Sequence, residues 1–170
     1  MSAIIARRPR SSYTPAPDGL HTACCVDIVD LGIVAGAYGA KHKVRIVWQL
    51  DAVDDEHGRR FDVARVYTLS LHERAALRKD LESWRGKKFT EAELDGFDLQ
   101  KLLGVNCQVQ VVQQVSEDGS VYANVATVVP PAKGRPKLAP LDYVRAADRV
   151  PRNGSAPQAP AEQEVDNVPF

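Results

Sequence analysis

Proline is absent from the whole stretch between Asp18 and Val129, since all eleven prolines lie before or after it. Proline has no N–H to give a helix or a sheet, so a long proline-free run rich in Val, Ile and Tyr reads as packed secondary structure between two tails. Also missing is any apolar run near the ~18 residues that a membrane helix needs. The first ten residues, apolar only at Ala3, Ile4, Ile5 and Ala6 after Met1, carry no secretory hydrophobic region. A cytoplasmic protein without a membrane partner is expected. Cysteine is scarce and odd in number, three residues with Cys24 and Cys25 adjacent, which fits reduced thiols better than a disulfide framework.

Chemistry-bearing motifs are equally thin. His21, His42, His57 and His72 show no metal-ligand spacing, and Cys24 and Cys107 fall in alternating segments that read as small core residues. The glycines of "GAYGA" precede Lys-His-Lys and a strand, not a helix, so neither phosphate-loop nor dinucleotide fingerprint applies. The acids Asp51, Asp54, Asp55 and Glu56 sit in and just before "DDEHG", the pattern of a solvated turn. No catalytic residue, metal or cofactor is expected, and the chain reads as a binding protein.

What is present is one domain's worth of sequence: 170 residues, 44% hydrophobic and 26% charged. Proline use divides it into a basic arm at 1–17, a domain at 18–131, a Pro/Ala-rich linker at 132–161 and an acidic tip at 162–170. The domain holds 13 basic and 17 acidic side chains, net −4. Within it "KVRIVWQLD" alternates Val44, Ile46, Trp48 and Leu50 against Lys43, Arg45, Val47 and Gln49, a strand with one buried face. "HTACCVDIVDLG" before it and "RRFDVARVYTLSL" after it are similarly β-rich. Leu77, Leu81 and Trp84 then fall at i, i+4 and i+7, the stripe of an amphipathic helix. Thr90 and Glu93 are spaced as a capping box, and Gly104 suits a helix end. "CQVQVVQQV" and "VYANVATVV" flank Asp118-Gly119, a hairpin signal.

The expected fold is therefore all-β with a helical insertion, in the order β-β-β-α-β-β, with a long first connection at "GIVAGAYGAKH". An SH3-like barrel or an α+β sheet shares parts of this order. The helix between strands three and four favours the OB-fold, a five-stranded, partly open Greek-key barrel.

The chain finishes "EQEVDNVPF". This resembles the tip of bacterial single-stranded DNA-binding proteins, which place an OB domain, a flexible linker and a run of acids before an aliphatic residue, Pro and Phe. Asn167 stands where an acid is usual. The body "YTLSLHERAALRKDLESWRG" with "FDLQKLLG" is similar to phage and prophage proteins thought to be OB-type DNA binders, so a phage-type analogue is the nearer likeness. The resemblance implies sequence-independent binding of single-stranded DNA in replication or recombination. It also implies recruitment of a replication or recombination partner through Glu162, Glu164, Asp166, Val168, Pro169 and Phe170. A terminal ring fits an apolar pocket, and acids steer the segment to basic partners. An assembly of several copies is left open.

Binding a single strand needs cations along the phosphates and aromatic faces for the bases. The second strand and its entry supply Lys41, Lys43 and Arg45; the third offers Arg59, Arg60, Arg65 and Tyr67; the fifth offers Tyr122 beside Asn124. Trp48 follows the core alternation, Phe61 suits either role, and Tyr67 also fits a core position with its hydroxyl at the rim. The competing expectation is an OB-like protein-interaction adaptor, which the net acidity of the domain favours.

Overall fold

The computed structural model describes residues 14–149. Five strands form one antiparallel sheet: β1 Gly19–Gly36, β2 Gly39–Asp54, β3 Arg59–Thr68, β4 Asn106–Val115 and β5 Val121–Val129, in the spatial order β3-β2-β1-β4-β5. Two helices, α1 Ala76–Arg85 and α2 Glu91–Asp95, lie between β3 and β4. The edge strands β3 and β5 approach each other with α1 packed against both. No ladder joins them among the described residues, so the sheet stays open and the expected barrel is not closed.

The alternation in β2 is realised as read. Val44, Ile46, Trp48 and Leu50 enter the core with Cys25, Val63, Cys107, Val109 and Val128. Helix α1 covers this side with Leu77, Leu81 and Trp84, and the two indoles meet at 6.1 Å between ring centroids, tilted by 59°. Trp84 also donates its ring N–H to the Asn106 carbonyl at 2.9 Å, which satisfies the polar end of a buried indole. Gly86 closes the helix at φ 72°, a left-handed cap that a side chain would strain. The capping box is present, with Thr90 accepting from the Glu93 amide and Glu93 accepting from the Thr90 amide. Residues 71–75 of the expected helical stretch precede α1.

The long first connection is not a loop. Strands β1 and β2 pair to the end, Ile33 opposite His42, Val34 opposite Lys41 and Gly36 opposite Gly39, leaving only Ala37 and Tyr38 to turn the chain. Small residues permit close pairing there, and Gly39 at φ 103° supplies the turn conformation. The result is a long two-stranded arm. Bulges at Cys25/Asp27 and Asp30/Gly32 re-aim the side chains along β1.

The stretch expected as the start of the linker also differs. Residues 138–149 make a run of hydrogen bonds to the sheet and end in a short 3-10 turn at Ala146–Asp148. The first part of the basic arm (1–13), the rest of the linker and the acidic tip, with Glu162, Glu164, Asp166, Val168, Pro169 and Phe170, lie outside the described residues. No helix among the described residues is long and apolar enough to cross a membrane.

Candidate nucleic-acid interface

On β2 the residues between the core positions face away from α1. In register, Gln49 stands between Cys24 and Asp62, Val47 between Asp27 and Ala64, Arg45 between Val29 and Val66, and Lys43 between Gly32 and Thr68. This outer face brings Lys43 and Arg45 together as expected. Lys43 is buried and donates from Nζ to the Thr68 hydroxyl at 3.1 Å. Arg45 is half-buried, and its Nη2 is enclosed with no hydrogen-bond partner among the described residues.

Arg65 and Tyr67 belong to the opposite face. They pair with Ile46 and Val44, two core positions, and both reach Asp80 of α1. Tyr67 is 1% exposed and donates its hydroxyl to Asp80 Oδ2 at 2.6 Å; Arg65 Nη1 donates to the same oxygen at 2.9 Å. The Arg65 guanidinium also sits 5.1 Å above the Tyr67 ring. Burial, then the Asp80 charge, push the Tyr67 hydroxyl well above its ordinary value. The enclosed ring has no face for a base, so the expectation that Tyr67 stacks is corrected. The strand alternates, and Tyr67 is in phase with Val63 rather than with Arg45's outer neighbours Val66 and Ala64.

Of the other expected residues, Arg59 is exposed at the start of β3 opposite Asp54, and Lys41 is half-buried on the arm opposite Val34. Arg60 is engaged: its Nη1 donates to the Ala139 carbonyl at 2.7 Å and to Gln49 Oε1 at 3.4 Å. Tyr122 is half-buried on β5 opposite Gln114, at the other edge of the sheet order from β3.

Two features escaped the sequence reading. Tyr38 at the turn of the arm is 93% exposed, the aromatic ring that a stacking role requires. Its signal was its position: a tyrosine flanked by Ala37 and Gly39 in a tight turn has no sheet face to be buried on. The second is the strap at 138–149. Gln49, 3% exposed, accepts the Leu141 N–H at 2.8 Å and donates to the Leu141 carbonyl at 2.7 Å. Asn106 treats Leu138 identically, accepting its N–H at 2.6 Å and donating to its carbonyl at 2.9 Å. Each carboxamide thus imitates a neighbouring β-strand for one residue of an extended segment.

Asp27 holds the other end of the strap. It is 1% exposed and accepts from the Ala146 N–H at 2.7 Å, the Tyr143 hydroxyl at 3.1 Å and Arg145 Nε at 3.2 Å. Desolvation is the largest single influence and pushes this carboxyl up. The three donors and the Arg145 charge together outweigh it, and the group is held below its ordinary value. The Arg149 guanidinium lies 5.6 Å over the Tyr143 ring, and its Nε donates to the Val144 carbonyl at 3.1 Å. At the β2–β3 turn the ligand atoms of Asp54, Glu56 and His57 fall within 4.8 Å of one another, on an exposed loop where His57 Nδ1 and Asp54 Oδ2 are 2.6 Å apart.

Compared with known proteins, the chain matches no family model and no curated protein sequence.

Proposed function

We propose that this chain is an OB-fold protein that binds single-stranded DNA without sequence specificity, in phage or bacterial replication or recombination, and that the strand follows the β1–β2 arm onto the outer face of β2. The observation that carries the reading is the arm. From Leu31 to Leu50 the sequence contains no acid, while Lys41, Lys43 and Arg45 recur at alternate positions and Tyr38 stands exposed at the turn. In a domain of net negative charge this is a local cationic track ending in an aromatic platform, the pairing that single-strand binding uses. The arm's Ile33 and Val34, 70% and 36% exposed, add apolar surface beside the ring.

The strand order, the helical insertion after β3 and the approach of β3 to β5 support the OB reading, in which the loop between strands one and two and the face of strands two and three take the ligand. Recruitment of a partner through Val168, Pro169 and Phe170 extends the proposal on the sequence resemblance alone. The adaptor reading is favoured by the strap, because Gln49 and Asn106 grip an extended peptide backbone.

Salt-dependent binding of oligo-dT by the arm variants separates the two. Replacing Lys41 and Lys43 with Ala should flatten the dependence of log K on log salt by ~0.7 for each phosphate deprived of its cation. Unchanged affinity and slope in a folded double variant would remove the arm from the interface.

A further inference from the structure

The outer face carries a charge problem that the strap resolves. In the rows from Lys43 to Gln49, the cations Lys43 and Arg45 are matched by the acids Asp27 and Asp62, so the sheet alone offers phosphate no net attraction. Asp27 is the worse of the two, since a carboxylate within the phosphate path repels it at short range. The strap carries Arg145 to the buried one of these acids. Arg145 Nε is bonded to Asp27 Oδ1 at 3.2 Å. Arg60 meanwhile spends one bond on the neutral Ala139 carbonyl and keeps its charge. The strap's own acids, Asp142 and Asp148, are exposed and balance its two arginines, so what it changes is local: a guanidinium placed on the buried Asp27 carboxylate.

We propose that the 138–149 strap is a built part of the nucleic-acid face, in which Arg145 neutralises Asp27 and so leaves the positive field of Lys43, Arg45 and Arg60 to draw phosphate. This rests on the single-strand reading above and names further residues of that site. Arg145 is a positioning and charge-setting group; Tyr143 and the Ala146 amide fix it in place by sharing the same carboxylate. A strap that only covered the face would do the opposite, and strands would bind better once it was loosened.

The two accounts give opposite signs in one experiment on the full chain, fluorescence anisotropy of labelled oligo-dT at low salt. Arg145→Gln should weaken binding ~5-fold, the worth of one unit charge at about 4 Å in water. Asp27→Asn should bind as tightly as the parent or tighter. The double variant Asp27→Asn with Arg145→Gln should recover to within about twofold of the parent. In it the unpaired carboxylate is gone, while the carboxamide oxygen introduced at position 27 still accepts the Ala146 amide. Circular dichroism confirms that each variant is folded. Tighter or unchanged binding by Arg145→Gln overturns the inference and leaves the single-strand reading standing. Failure of the double variant to recover also overturns it, since Arg145 then acts by holding the strap and not by charge. No oligo-dT binding by the parent defeats the single-strand reading itself, and this inference falls with it.

Discussion

The two faces of β2 are built from the same strand by opposite means. On the side toward α1, Ile46, Trp48 and Leu50 are enclosed by Leu77, Leu81, Trp84 and the inner residues of β3, β4 and β5, and the contacts are apolar. On the other side Lys43, Arg45 and Gln49 form a polar layer, buried or half-buried, and the segment that covers Gln49 comes from 92 residues further along the chain. Its own Leu141 and Val144 stay 52% and 55% exposed, so the strap docks through hydrogen bonds and an ion pair more than through buried apolar area. The core face therefore carries most of the fold's stability, and in the proposed reading the outer face meets the ligand. Substitutions on one face should move melting, and substitutions on the other should move binding.

The largest effect is expected at Trp48. Trp48→Ala leaves a cavity against Trp84 and should cost ~3–5 kcal/mol in denaturant unfolding. A cost under ~1 kcal/mol would mean that the inner face is not the core. Next is Tyr67→Phe, which keeps the ring and strands the buried Asp80 oxygen with Arg65 as its remaining partner. It should cost ~1–3 kcal/mol of stability and leave oligo-dT affinity unaltered. A drop in affinity with unchanged melting would reverse the assignment of faces.

Tyr38→Ala sharpens the comparison from the other side. At 93% exposure the ring contributes little to folding, so unfolding should shift by no more than ~0.5 kcal/mol. Affinity for oligo-dT should fall by ~1–3 kcal/mol if the ring stacks a base. Loss of stability with unchanged affinity would place the ring in a contact between parts of the protein.

The smallest effect is local and depends on pH. The Asp27 carboxyl is held below its ordinary value of 3.8, so the docking energy it contributes is fully present above that value and is lost as pH falls through the lower, folded value. Amide NMR of Ala146 should show a transition in the acid range that is absent from Asp27→Asn. A transition of the same midpoint in both would mean that another group controls the strap.

Much of the fold was legible because it follows from periodicities that burial enforces. The alternation through Val44 to Leu50, the stripe of Leu77, Leu81 and Trp84, the Thr90/Glu93 box and the Asp118-Gly119 turn are each set by local residues, and each is found. By residue type the arm reads as a long connection, because Gly and Ala carry weak strand signals. What makes it a hairpin is backbone pairing that stays in register to Gly36 and Gly39. Tyr67 was read on the ligand face because alternation fixes which residues share a face and not which face is inward. Its partner Asp80, on a helix 13 residues away, decides that. The strap was hidden for a third reason. Its composition is that of a linker, and its attachment depends on single polar side chains, Asp27, Gln49 and Asn106, that lie between 32 and 119 residues away in sequence.

The central claim is tested most directly by comparing the full chain's affinity for oligo-dT and for duplex DNA of equal length across a salt series. The account predicts tight binding of the single strand at low salt, a clear preference over duplex, and a steep linear loss of log K with log salt as counterions are released. Equal affinity for the two, or no binding of oligo-dT at low salt, would contradict it and leave the outer face as a peptide-binding surface.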